Sequence, residues 1–160
     1  PTRLNGGVPD GANAFCSVGK EKRGTVQMQL FAVIDEAEDR FVEVGFRSHG
    51  CLAAIACATA IATLLRGKTT REALEITRED ITALTGELPE SRAYTYIFGL
   101  EAIRALVGNY CLKQKHLSLA DLDAFLPCQK LSVPCMITEN CSLRDDRVEQ
   151  ELKERGELKG

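Results

Sequence analysis

The chain has 160 residues and a net charge of −3, with 44% hydrophobic and 27% charged residues. This composition is typical of one globular domain with a proper core, with or without an extension. The small negative charge excludes a general attraction to nucleic acid, and no charge-free apolar run is long enough to span a membrane. We therefore expect neither nucleic acid nor a membrane as a partner.

In chain order, residues 1–13 are rich in Gly, Asn and Pro and predict an irregular arm. Residues 25–33 then alternate between apolar and polar side chains, which predicts a half-buried strand. The residues predicted to share one face of this strand are Val26, Met28, Leu30 and Ala32.

A second alternating stretch covers residues 41–48. Its pattern places Phe41 on the opposite face from Val42, Val44 and Phe46. A polar turn at 35–40 separates the two strands, so the pair predicts an antiparallel hairpin.

The middle of the chain predicts several helices. Residues 52–65 are apolar on almost every side, which is typical of a buried central helix, and Gly67 is a plausible stop. Two capping-box signals follow, Thr69 with Glu72 and Thr77 with Asp80, each predicting a short helix; Gly86 ends the second.

Residues 92–112 predict a long amphipathic helix. Its apolar stripe consists of Ile97, Leu100, Ile103, Val107 and Cys111, and two glycines, Gly99 and Gly108, are expected to weaken it.

The composition changes after Lys113. We therefore expect one domain at 1–113 and a helical, cysteine-containing extension at 114–160. Ser118 is a cap for a helix that ends by Pro127. The charged segment 143–160 predicts a solvated helix or a frayed tail.

Seven cysteines are many for this length. Their number is odd and no signal peptide is visible, so we expect reduced thiols in a cytoplasmic protein rather than a disulfide framework. The chain begins with Pro1 rather than Met, which is typical of a processed form or a fragment. The cysteines are Cys16, Cys51, Cys57, Cys111, Cys128, Cys135 and Cys141.

Cys51 has the most informative position among these thiols. It lies between the second predicted strand and the apolar helix at 52–65. The positive end of a helix dipole lowers the pKa of a thiol and favours thiolate, the form that attacks sulfur compounds and binds metals. Cys51 is therefore a candidate for sulfur or iron chemistry.

Four stretches carry a family pattern that covers about residues 1–112. The most specific is FRSHGCLAAIA at 46–56; the others are PTRLNGG at 1–7, GTVQMQL at 24–30 and EAIRAL at 101–106. Together they resemble the IscU/NifU-type iron–sulfur cluster assembly scaffolds. The resemblance implies an α+β fold with a small antiparallel sheet and helices packed on one face. It also implies a scaffold, not an enzyme, with no catalytic residues.

Scaffolds of this family build a cluster on three cysteines and an aspartate, and the resemblance carries only part of that set over. The first cysteine falls on Arg23 and the aspartate on Thr25, whereas the second cysteine is retained as Cys51. The third falls near Thr95, and the histidine beside it falls near Tyr94. Cluster assembly on the family's own ligands is therefore not expected.

The resemblance also places two cations, Lys22 and Arg23, opposite Cys51. Such a setting stabilises thiolate, so we interpret Cys51 as a sulfur-accepting thiol that carries a persulfide. In the other reading, Cys51 is a relic that packs as a small apolar side chain. His49 is a possible ligand or base in this pocket and is more often a hydrogen-bonded surface residue.

The remaining cysteines are assigned by position. Cys57 and Cys111 are expected in the core, and Cys16, in the arm, is a speculative substitute for the lost first cysteine. The cluster Cys128, Cys135 and Cys141 has no Cys-x-x-Cys pair but invites a metal. These three are candidate ligands of an iron–sulfur cluster or zinc, with Cys51, Cys111, Cys16 or His116 as the fourth ligand; alternatively the three pack against the domain.

Three functions follow from these features. The first is a divergent scaffold or sulfur/iron carrier that works with a cysteine desulfurase or other iron–sulfur assembly proteins. The alternative is a regulatory pseudo-scaffold that binds the same partners without building clusters. A thiol enzyme ranks last, because no catalytic group beyond His49 supports it.

Overall fold

The computed structural model describes residues 7–20, 26–48, 52–92, 94–126 and 143–156. Three strands form one antiparallel sheet in the order β1-β2-β3, which confirms the α+β class. The strands are β1 (Ala14–Lys20), β2 (Val26–Asp35) and β3 (Arg40–Ser48). The helices are α1 (Leu52–Leu65), α2 (Thr70–Ala73), α3 (Arg78–Thr85), α4 (Tyr94–Lys113), α5 (Leu119–Phe125) and α6 (Arg144–Glu154), with a 3₁₀ turn at Glu90–Arg92.

The predicted hairpin is present as β2 and β3, and the predicted face of β2 is buried at Met28, Leu30 and Ala32. The first strand, β1, was not predicted. It alternates in the same way, because Ala14, Cys16 and Val18 are buried while Phe15 is 41% exposed. The sheet therefore gains an edge strand directly after the arm.

The predicted phase of β3 is wrong at its start. Val33 pairs with Glu43 and Ile34 with Phe41, so Val42 is an extra residue in a β-bulge. The bulge turns Phe41 inward, where it is 1% exposed, and leaves Val42 59% exposed. A period of two cannot continue through an inserted residue.

The predicted helices of the middle region are confirmed. The central helix α1 has the predicted bounds, and it packs with α4 against one side of the sheet. Thr69 caps α2 through Glu72, and Thr77 caps α3 through Asp80, both as complete capping boxes.

The helix α4 is covered by other elements on most of its sides, so the predicted amphipathic pattern, with one apolar and one polar face, is wrong. Gly99 allows its close approach to α1, because a Cβ there would lie 2.7 Å from Cys57 Sγ. The predicted stripe holds at Ile103 and Val107, but Ile97 is 66% exposed. The sheet and α1 cover one side of α4, and the C-terminal helices cover another.

The C-terminal segment forms a helix, as predicted, but α6 packs against the domain and is not the solvated helix that the charge pattern predicts. Leu143, just before α6, is 8% exposed and lies against Gly108 of α4. Arg147 is 9% exposed and pairs with Asp123 of α5. The counter-charge of Asp123 on α5 is not visible in the charge pattern of 143–160 itself.

In the part of the chain that is described, no helix combines the length and the apolar character needed to cross a membrane.

Candidate functional site

Three chain segments with predicted site residues begin or end at one end of the sheet. Lys20, the last residue of β1, pairs with Val26, the first residue of β2. Near that end Ser48, the last residue of β3, pairs with Met28. Only residues 49–51 separate Ser48 from Leu52, where α1 begins. The flanks of 21–25 and of 49–51 therefore lie together.

The start of α4 lies at the same end. The Cys16 thiol donates to the Ala102 carbonyl at 3.3 Å, and the Phe15 N–H donates to Asn109 Oδ1 at 2.9 Å. Because higher numbers in β1 meet lower numbers in α4, the two elements run antiparallel. The first turn of α4 is thus directed toward the Lys20 end of β1.

The second turn of α1 is bonded directly to the first turn of α4. The Cys57 thiol donates to the Thr95 carbonyl oxygen at 3.4 Å, and Thr95 is the second residue of α4. Helix N-termini carry partial positive charge. This end of the sheet therefore presents two such termini, a setting that favours a thiolate or another anion.

Most predicted site residues lie outside the described residues. These are Lys22, Arg23, Thr25, His49, Cys51, Cys128, Cys135 and Cys141. Tyr94 is the first residue of α4. Among the predicted pocket residues, Thr95 has a described side chain and environment.

Thr95 is buried, with 1% of its surface exposed. Its hydroxyl donates to the Arg92 carbonyl at 2.9 Å and so closes the turn that leads into α4. The resemblance places the third cysteine of the family near Thr95. This chain therefore has a hydroxyl oxygen there, and the hydroxyl is hydrogen-bonded to a backbone carbonyl. Iron–sulfur and structural zinc sites are held by thiolates and imidazoles, so Thr95 is a poor ligand for either.

The described thiols are packing residues. Cys57 and Cys111 are both buried, which confirms the core prediction. Burial raises the pKa of Cys57 to about 12 and that of Cys111 to about 11. Raised pKa values of this size favour the protonated thiol near neutral pH, which suits packing residues.

Cys16 lies in β1 and not in the arm, so its predicted location is wrong. It is 4% exposed, and burial raises its pKa to about 12. Its thiol points toward α4, where it donates to Ala102. This arrangement does not suit a substitute for the lost first cysteine.

No group of three or more His, Cys, Asp or Glu side chains that could hold a metal ion occurs within the described ranges. The link from Cys57 to Thr95 was missed by sequence reasoning, and periodicity gives no signal for a contact between two helices. The Thr95 hydroxyl could have been suspected, because threonine at a helix start commonly bonds a backbone group.

The fold and the meeting of these segments define a small α+β domain with its candidate site at one end of the sheet. The family described as "NifU-like N terminal domain" matches residues 3–117. The chain belongs to this family, which confirms the resemblance.

Several curated relatives match. "Nitrogen fixation protein NifU" of Azotobacter chroococcum mcd 1 is 33% identical over 106 residues, 66% of this chain and 34% of that protein. "Iron-sulfur cluster assembly scaffold protein IscU" of Aquifex aeolicus is 30% identical over 110 residues, 69% of each chain. A protein of Archaeoglobus fulgidus, named as the same scaffold, "IscU 1", is 29% identical over 109 residues, 68% of this chain and 69% of that one. The match spans about a third of the length of the NifU relatives.

Proposed function

We propose that this chain is a divergent iron–sulfur cluster assembly scaffold or sulfur carrier in which Cys51 accepts sulfur. Membership of the family supports the assembly role, and two relatives carry the name of an assembly scaffold. The observation that carries the divergent part is Thr95, a buried hydroxyl at the position of a family thiolate.

The described thiols narrow the candidate ligands. Three of the seven cysteines are buried with raised pKa values and bond or pack within the core. The four that remain are Cys51, Cys128, Cys135 and Cys141. Four thiolates are the number that iron–sulfur clusters and Cys₄ zinc sites use. We propose that the three extension cysteines and Cys51 are the soft ligands of this chain.

Sulfur acceptance requires a thiolate at Cys51. The thiolate attacks the outer sulfur of a donor persulfide, the donor's S–S bond breaks, and the donor leaves as a thiolate. Cys51 then carries the new S–S bond and the transferred sulfur. The N-termini of α1 and α4 lie at this end of the sheet, and the family resemblance places the cations Lys22 and Arg23 opposite Cys51. Positive charge of this kind favours the Cys51 thiolate before the transfer and the persulfide anion after it. A cysteine desulfurase is the class of partner that supplies such a persulfide.

The alternative function is a regulatory pseudo-scaffold that binds assembly partners without holding a cluster. It is supported by the same substitution at Thr95 and by the replacement of two further ligands by Arg23 and Thr25. In the scaffold or carrier, Cys51 gains a sulfur atom or binds metal; in the pseudo-scaffold it does neither.

Anaerobic reconstitution with ferrous iron and sulfide separates these functions when it is run on wild type, Cys51→Ser and Cys57→Ser. The readouts are bound iron, bound sulfide and visible absorbance, with a parallel mass measurement of the Cys51 peptide after exposure to a persulfide donor. We expect wild type and Cys57→Ser to gain metal or one sulfur atom, and Cys51→Ser to gain neither at that position. A wild type that gains neither, yet still binds a desulfurase, would establish the pseudo-scaffold instead.

A further inference from the structure

Helix α6 is attached to the domain by charged groups. Lys113 of α4 pairs with Glu149 and lies 3.9 Å from Asp146. Arg147 Nη2 lies 2.5 Å from the carboxylate of Asp123 in α5. These ion pairs cover α6 on the side that faces α4 and α5.

Two further polar contacts involve α6. The Leu119 N–H donates to the Glu154 carboxylate at 3.0 Å. Asn109 Nδ2 donates to Asp146 Oδ2 at 2.9 Å, while Asn109 Oδ1 accepts from the Phe15 N–H. The helix is thereby connected to the sheet edge as well as to α4.

The apolar part of this attachment is narrow. Two leucines pack close to Gly108 of α4. A Cβ atom added at Gly108 would lie 2.5 Å from Leu143 Cδ1 and 3.3 Å from Leu126 Cδ2. Within α6 itself, Val148 and Leu152 are only partly buried. The residues that flank 127–142 therefore both contact one glycine of α4.

These contacts give α6 a low local stability. An 11-residue helix is marginal in water by itself, and the Lys113–Glu149 pair, whose side chains are 32% and 38% exposed, is open to screening by salt, whereas the Arg147–Asp123 pair is screened less because the Arg147 side chain is 11% exposed. The hairpin β2–β3, in contrast, has a continuous backbone ladder and a buried apolar face. Regions with few buried contacts open before the global transition.

We propose that α6 is an electrostatically held latch that opens while the rest of the domain stays folded. When it is closed, the chain on both sides of 127–142 is fixed at Gly108; when it is open, only the Leu126 side remains fixed. The latch does not depend on the proposed function. If the extension cysteines are ligands, it sets how far they reach.

Hydrogen exchange on the full chain tests the latch. We expect the amides of α6 to exchange faster than those of β2 in wild type. Raising NaCl from about 50 mM to about 1 M should accelerate amide exchange in α6 about two- to tenfold, because the Debye length falls to about 3 Å and the partly exposed charges of Lys113 and Glu149 are screened, and should leave β2 unchanged. Lys113→Met should accelerate amide exchange in α6 by a similar factor in low salt and make that exchange less sensitive to added salt, because the Arg147–Asp123 pair between α6 and α5 remains.

Lys115→Met is the matched control. It also removes an ion-paired lysine, whose Nζ lies 3.0 Å from Asp39 Oδ1, but that pair does not involve α6. We expect it to leave α6 exchange unchanged. Asp123→Asn is a second test variant in case Lys113→Met also lowers the protection of β2. Equal exchange rates in α6 and β2, or an α6 that responds to neither salt nor these two variants, would overturn the proposal.

Discussion

The two ends of the sheet are built in different ways. At the end with the β2–β3 turn, Asp39 accepts a hydrogen bond from Tyr110 Oη at 2.7 Å and pairs with Lys115, and its carbonyl accepts from the Thr70 N–H at 2.8 Å. At the other end, within the described residues, the Cys57 thiol donates to the Thr95 carbonyl and the Thr95 hydroxyl donates to the Arg92 carbonyl. Side-chain pairs connect the elements at the first end, whereas the second end contains the N-termini of α1 and α4, where the candidate site is expected.

The contrast indicates that residues at the Asp39 end contribute to the stability of the fold, whereas residues at the other end also affect the candidate site. Substitutions at the Asp39 end should change the free energy of unfolding without changing sulfur acceptance. Substitutions that move α1 against α4 should change both.

The largest effect is expected at Gly99. Gly99→Ala places a Cβ 2.7 Å from both Cys57 Sγ and Ile61 Cδ1. Overpacking of this kind costs about 1–3 kcal/mol of unfolding free energy, which urea denaturation measures. The double variant Gly99→Ala/Cys57→Ala should recover part of the loss, because it removes one of the two atoms in the way. No recovery would show that the close approach is not the cause.

At the opposite end, Tyr110→Phe removes the hydrogen bond to the Asp39 carboxylate. We expect a loss of about 1–2 kcal/mol in urea denaturation and no change in sulfur acceptance by Cys51. Burial, together with the Asp39 hydrogen bond, raises the pKa of Tyr110. The contribution is thus fully present below the unfolded pKa of about 10 and is lost above it, so the variant should differ less from wild type at high pH.

Within the first pH unit above 9.0, the effect expected from Cys57 on the free energy of unfolding is smaller than those of Gly99→Ala and Tyr110→Phe. Burial raises its pKa from 9.0 to about 12, so between these values the unfolded thiol ionises and the folded one does not. Stability should fall with rising pH in this window, by up to about 1.4 kcal/mol per pH unit for one such thiol. Urea midpoints measured from pH 8 upward should decline less steeply in Cys57→Ala; parallel slopes would contradict the raised pKa.

The smallest effect is expected at Thr95. Thr95→Val keeps the shape but removes the hydroxyl that donates to Arg92, which should cost about 1 kcal/mol, while Thr95→Ser should cost less. Neither variant should alter the iron bound after reconstitution. A loss of bound iron in Thr95→Val but not in Thr95→Ser would show that the Thr95 hydroxyl is a ligand. That result would contradict the interpretation of Thr95 as a structural residue at this end of the sheet.

Local sequence signals predicted much of this fold. The capping boxes at Thr69 and Thr77 and the bounds of α1 depend on neighbouring residues, and they were predicted correctly. The bulge at Val42 and the packing of α6 depend on partners that are distant in sequence, such as Ile34 and Asp123. Periodicity does not contain that information.

For the candidate site, the sequence predicted which segments matter, but not the environment of each thiol. The pattern gave no sign that the Cys16 thiol bonds to Ala102, because that contact joins residues 86 positions apart. Burial of Cys57 could be expected from an apolar helix, whereas its bond to Thr95 requires the meeting of α1 and α4.

The central claim is that Cys51 is a thiolate that accepts sulfur, and its thiol pKa tests this most directly. The measurement is the rate of alkylation of Cys51 against pH, followed by mass spectrometry in the native chain, with the buried Cys57 as the unreactive reference. We predict a pKa below the unperturbed value of about 8.5. A Cys51 that titrates at or above about 8.5 would contradict the account.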